Sequence, residues 1–174
     1  LPRSAARGKL ALTFFILSAA LLGAGCDAPP KDAFSPIDAP RLSLLAVGDT
    51  GRTRILPSIF EGPRSVAQAM TTAATRRPGD GVVFLGDNFY WDGLSNATLV
   101  PRIRENLVTP YCYFLDLTGP RSSEVESACP LAIPQRKPTP IYAVLGNHDL
   151  ERPESAELQR KVVPEFIPAW QMSP

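Results

Sequence analysis

Histidine is almost missing from this sequence: His148 is the only one in 174 residues. A metal site within these residues would therefore have to rely mainly on oxygen donors. No basic run occurs beyond the first nine residues, which removes the electrostatic footprint of a nucleic-acid surface. The apolar run 10–25 falls short of the ~20 residues a spanning helix needs. No internal repeat is visible, and 44% hydrophobic with 20% charged residues is ordinary globular usage rather than low complexity. The length is compatible with about one domain.

Proline, by contrast, is abundant: 19 residues, about twice the usual share, concentrated at 29–40 and 101–140. Those stretches read as a linker and a loop-rich insert. Residues 1–26 read as an export signal: Arg3, Arg7 and Lys9, then the apolar run, then small residues before Cys26. An uncleaved membrane anchor is the other reading of the same run. The stretch "LLGAGC" (21–26) resembles a bacterial lipoprotein signal, although Gly23 stands where that family prefers a larger aliphatic residue. The resemblance implies a lipidated Cys26 and an exported protein held at the cell envelope, periplasmic or at the surface. Residues 27–40, rich in Pro, Asp and Ala, suit an extended tether and leave 41–174 as the folded part. Without the first 26 residues, 15 of the 18 basic side chains remain against 17 acidic ones, a net charge of about −2. Cys112 and Cys129 either pair across the insert, as exported chains allow, or stay as two thiols. The start at Leu1 and the close on "WQMSP" lead to the expectation that the chain is a piece of a longer one.

Three apolar runs set the fold class. Residues 41–51, 81–90 and 139–149 are each continuously apolar up to a glycine, the pattern of parallel strands buried on both faces. Between the first two, Pro63 opens a helix over 63–77. There Val66, Met70, Ala73 and Ala74 recur at helical spacing, and Pro78-Gly79 stops the helix. Strand, helix and strand in about fifty residues make a βαβ unit, hence an α/β fold with a right-handed crossover. Further helices are expected over 96–108, interrupted at Pro101, and over 154–166, broken at Pro164.

The polar residues collect where the strands end. Gly48-Asp49, Gly86-Asp87-Asn88 and Gly146-Asn147-His148-Asp149 follow the same pattern, a glycine and then metal- or proton-capable side chains. In an open α/β sheet, sites form beyond the carboxyl ends of the strands. Parallel neighbours would bring Asp49, Asp87 and Asn147 to one point, with the Tyr90 phenol nearby. That oxygen-rich set suits hard cations or Fe(III), with Mn or Zn also compatible. Taken singly, each motif is ordinary turn chemistry, and a lone histidine is more often structural than catalytic. It is the repetition of one pattern at three strand ends that points to a site.

The same residues carry a family resemblance. Gly48-Asp49-x-Gly51, Gly86-Asp87-x-x-Tyr90 and Gly146-Asn147-His148-Asp149 resemble the first three motifs of the calcineurin-like metallophosphoesterases. The tyrosine in the second motif is similar to purple acid phosphatases of the small tartrate-resistant type. "AELQ" and "AWQMSP" resemble the segment after that family's third motif. The resemblance covers roughly 42–174, the N-terminal part of such a domain. It implies the first βαβ half of an αββα sandwich, whose apolar second face would be left uncovered here.

Two metal ions, iron with Fe, Zn or Mn, are implied as cofactors. Asp49 would bind the first, Asp87 would bridge both, Tyr90 would bind the first, and Asn147 the second. His148 would contact the phosphate and help protonate the leaving oxygen, a transfer worth typically ~10²–10⁴-fold. The gap from Asp87 to Asn147 is long for the small tartrate-resistant type, and the excess falls in the insert that holds Cys112 and Cys129. The family's later histidines have no counterpart, since His148 stands alone. The expected activity is hydrolysis of a phosphorylated small molecule or phosphoprotein, with these 174 residues by themselves a poor catalyst. Phosphodiester or nucleotide hydrolysis on the same core is the alternative. A non-catalytic envelope protein with a remnant metal or phosphate site is another.

Overall fold

The computed structural model describes residues 42–51, 62–131 and 135–173. The export signal 1–26 and the tether 27–40 lie outside the described residues. Among those described, four strands form one parallel sheet in the order β1 (Leu44–Val47), β2 (Gly81–Phe84), β3 (Ile141–Ala143) and β4 (Trp170–Met172). Parallel registers pair Val47 with Phe84, Phe84 with Ala143, and Ala143 with Met172. All three strand ends that carry the motifs therefore sit side by side. The chain is α/β, with a crossover between each consecutive pair of strands.

The strands are shorter than their apolar runs, because pairing stops where the glycines turn the backbone. β4 was not expected: three residues give no periodicity to read, and it is pairing with β3 that makes them a strand. Right-handed crossovers that all advance in one direction lay their helices on one face of the sheet. Burial agrees. Val82, Phe84, Ile141, Ala143 and Trp170 are buried against the helices, while Leu85 and Val144 are 59% and 51% exposed on the other face. Continuous apolar runs predict burial on both faces; among the described residues only one face is covered.

α1 (Gly62–Arg76) buries Ala67, Met70 and Ala74, spaced three and four apart. Val66 lies 43% exposed, so the buried stripe is turned by one residue from the expected one. The small Ala67 sits where a bulkier Val66 would hold the helix off its neighbours.

The second crossover is longer and contains a widened turn. α2 (Leu99–Ile103) runs into a π turn at Arg104–Val108, then α3 (Thr109–Tyr111) and a 3₁₀ turn at Cys112–Phe114. Pro101 lies in the first turn, where its missing N–H costs nothing, so it does not interrupt the helix. The third crossover repeats the device: α4 (Ser155–Glu157), a π turn at Leu158–Val162, and α5 (Val163–Phe166). Here Pro164 does not break the helix, because it sits in the first turn of α5, just after the widened turn.

The core centres on Phe84, whose ring meets Tyr111 edge-on at 5.0 Å and Trp170 at 5.3 Å. Cys112 and Cys129 are disulfide-bonded, with Cα atoms 5.5 Å apart, and staple the insert to α3. The insert is held again where Arg121 lies over the Phe166 ring at 4.2 Å and forks onto Glu124. No helix among the described residues is long and apolar enough to cross a membrane.

Candidate metal centre

Each expected ligand stands on the loop that leaves a strand. Asp49 follows β1 with φ 55°, and Asp87 follows β2 with φ 53°. Both are in the left-handed region, which side chains other than glycine occupy rarely and at some cost. The two loops are tied through the backbone: Asp49 N–H donates to Gly86 O (3.1 Å), Gly51 N–H to Asp87 O (2.9 Å), and Tyr90 N–H to Gly51 O (3.2 Å). Close approach needs glycine at two places. A Cβ on Gly51 would fall 2.4 Å from Phe89 N, and one on Gly146 would fall 2.1 Å from Asp87 Oδ1.

This backbone brings the side-chain oxygens of three of the five expected residues together. Tyr90 Oη lies 2.5 Å from Asp49 Oδ1 and 2.8 Å from Asp87 Oδ2. A phenol has one hydrogen, so it can donate to only one of these carboxylates at a time. The other short oxygen–oxygen contact has no proton of the phenol's behind it. A cation among the three oxygens would supply the missing positive charge. Without one, burial first and then the hydrogen bonds to Asp49 and Asp87 push the Tyr90 phenol well above the usual tyrosine range. Two carboxylates and a phenol are hard oxygen donors, so the set fits Fe(III), Mn or Zn ions.

His148 stands at the edge of this cluster. Its N–H donates to Asp87 Oδ1 (3.1 Å), and its ring lies 4.2 Å from that of Tyr90, centroid to centroid. Nδ1 is 2.6 Å from Trp91 O. A carbonyl only accepts, so Nδ1 carries a hydrogen and Nε2 is the atom that can gain or lose a proton. Asn147 is exposed on the same loop, next to Gly146, and its carbonyl accepts from Leu150 N–H at 3.1 Å. Its side chain makes no hydrogen bond to Asp49, Asp87 or Tyr90. Arg152 pairs with Asp92 on the rim, near the exposed Trp91. Among the described residues, no group of three or more His, Cys, Asp or Glu is arranged to hold a metal. The oxygen cluster consists instead of two carboxylates and a phenol.

Two residues of this neighbourhood, Asn106 and Gln159, are not singled out by sequence, and Asp149 is marked there only as a member of the third motif, without a role of its own. Asp149 is fully buried and accepts from the N–H groups of Asn88, Phe89 and Gly146, each at 3.0 Å, and from Gln159 Nε2 at 2.9 Å. It sits beside Asn147 and His148 yet faces inward, joining the β2 and β3 loops. Asn106 and Gln159 are buried amides on helical segments. The available signal was a polar residue on an otherwise apolar helix face, which is too common to be read alone.

No protein-family model matches this chain, and a search of curated proteins finds no relative.

Proposed function

We propose that the chain carries one side of a dinuclear metal centre that hydrolyses phosphate esters, acting first on phosphomonoesters. The observation that carries this reading is the single phenol Tyr90 Oη set 2.5 Å and 2.8 Å from two carboxylates. Both of those carboxylates stand on left-handed backbone at the ends of neighbouring parallel strands. Strain kept at two adjacent acidic residues is a mark of a functional site. The resemblance of the three loop motifs to calcineurin-like metallophosphoesterases points to the same chemistry.

Asp49, Asp87, Tyr90 and Asn147 would hold the metal ions, iron with Fe, Zn or Mn. When bound, such ions polarise a phosphoryl group and acidify water. The protein's own part is positional and proton-handling. Asp87 accepts the His148 N–H and so fixes that loop against the cluster. Trp91 O fixes the His148 tautomer and leaves Nε2 to exchange a proton with the leaving oxygen. Tyr90 would hold such an ion as the phenolate, its proton passing to solvent. The fit is to a substrate anion held by metal charge, which agrees with a chain lacking a basic surface. Export and lipid anchoring through Cys26 belong to this proposal from the sequence of 1–26.

A second reading is a metal- or phosphate-binding envelope protein without turnover, favoured by the presence of only one histidine. One experiment separates the readings. The full-length protein, loaded with iron, zinc or manganese, is assayed on p-nitrophenyl phosphate and on bis(p-nitrophenyl) phosphate. The proposal expects two bound ions, faster release from the monoester, and a fall to background in Asp87→Ala. Faster release from the diester would move the assignment to phosphodiesterase or nucleotidase. Bound metal without hydrolysis would leave the envelope-protein reading. Hydrolysis unchanged by Asp87→Ala would end the proposal.

A further inference from the structure

Two widened helical turns occupy equivalent places in successive crossovers, and each carries one buried amide. In the π turn Arg104–Val108 the closing bond runs from Thr109 N–H to Arg104 O; in Leu158–Val162 it runs from Val163 N–H to Leu158 O. Each turn ends two residues before a proline, Pro110 or Pro164. A proline inside a helix has no N–H to donate, and its ring clashes with the carbonyl four residues back. Widening the preceding turn relieves that clash. Such π insertions occur often at functional sites.

The amides meet at Asn88. Asn106 Nδ2 donates to Gly51 O (3.0 Å) and Asn88 O (3.3 Å). Gln159 Oε1 accepts from Asn88 Nδ2 (3.1 Å), while Gln159 Nε2 donates to Asp149 Oδ1 (2.9 Å) and Ser155 Oγ (3.2 Å). Asn88 Nδ2 donates again to Val144 O at 2.8 Å. Gly51 belongs to the loop after β1, Asn88 to the loop after β2, and Val144 and Asp149 to the stretch after β3. A single hydrogen-bonded network therefore spans all three ligand-bearing loops. Its chemistry is specific. Asn106 faces two carbonyl oxygens at once, a position that needs an –NH₂ and that neither a carboxylate nor an aliphatic side chain can fill.

We propose that Asn106 and Gln159 are positioning residues: each is presented by a proline-induced π turn, and together they lock the three ligand loops before any cation binds. This rests on the metal-centre reading of those loops. Outer partners that orient ligands typically cost ~10–100-fold in metal affinity when removed.

The test uses the full-length chain with Asn106→Leu and Gln159→Met, which keep volume and remove the hydrogen bonds. Ser122→Ala serves as control, because Ser122 Oγ donates to Phe166 O (2.6 Å), a buried bond that involves none of the three loops. Two readouts are taken: Mn²⁺ affinity by titration, and amide exchange at Asn88, Phe89 and Gly146 in metal-free protein. The expectation is ~10–100-fold weaker Mn²⁺ binding and faster exchange at those three amides in both loop variants, with neither change in Ser122→Ala. Wild-type affinity in the variants, or an equal loss in Ser122→Ala, overturns the proposal. If wild type itself binds no Mn²⁺, the metal-centre reading fails and exchange alone decides. Acceleration confined to the three loops then upholds the lock, and unchanged or molecule-wide acceleration removes it. If Gln159→Met does not fold, Asn106→Leu decides.

Discussion

Tyr90 is the residue on which the electrostatics of the cluster turn. Its phenol is raised by burial first, and then by hydrogen bonds to Asp49 and Asp87, so the native metal-free protein holds the neutral form. A group whose native-state pKa is raised contributes stability below its unfolded value, and that contribution is lost as pH rises above it. For tyrosine the loss begins near pH ~10. Tyr111, raised by burial alone, adds to the same slope. Urea denaturation of metal-free protein should therefore show stability falling from pH 9.5 to 11, and falling less in Tyr90→Phe. An equal fall in both proteins would mean that the carboxylates do not hold the phenol as described. Asp49 and Asp87 could be named from sequence, because each follows a glycine at a strand end. Tyr90 could be named as well, from the second motif; that its one phenol meets both carboxylates could not, since it reaches Asp49 across 41 positions of chain.

Among the elements, the crossovers departed most from expectation, and prolines explain most of the departure. Pro101 and Pro164 read as an interruption and a break, yet one occupies a first turn and the other follows a π turn. A local rule for proline assumes α-helical spacing in the turn before it, and that spacing is what changed. For Cys112 and Cys129 the sequence allows either a disulfide or two thiols, and the fold of the insert brings them together as a disulfide. Their bond closes a loop of 17 residues, for which chain entropy predicts about 3 kcal/mol of stabilisation. The double variant Cys112→Ala/Cys129→Ala should lose about that much in a denaturant melt, and reducing agent should do the same to wild type. A loss below ~0.5 kcal/mol would show that the contacts of Arg121 and Ser122 hold the insert without it.

At the scale of the whole sheet, the described residues leave one face under helices and one with exposed Leu44, Leu85, Tyr142 and Val144. A contiguous apolar face of this kind marks an association surface. Residues 42–174 prepared alone should bind a hydrophobic dye and sediment above monomer mass. Leu85→Lys with Val144→Lys should reduce both while leaving the helical circular-dichroism signal intact. Monomeric, dye-free behaviour of the unmodified piece would show that the face is not adhesive. Continuous apolarity in the strands correctly marked parallel pairing, but it could not tell which of the two faces the rest of the chain covers. What the sequence by itself determined was local: three strands, α1, the glycine-led turns and the acidic residues that follow them, all set by spacing within about ten residues. What only the tertiary structure decided was relational. The fourth strand, the phenol between two aspartates, the inward Asp149 and the two amides that meet at Asn88 each need contacts between residues far apart in the chain, such as Asn88 with Asn106 and Gln159, 18 and 71 positions away. Such contacts leave no periodic trace, because each side chain is placed by the packing of elements rather than by its neighbours in the chain.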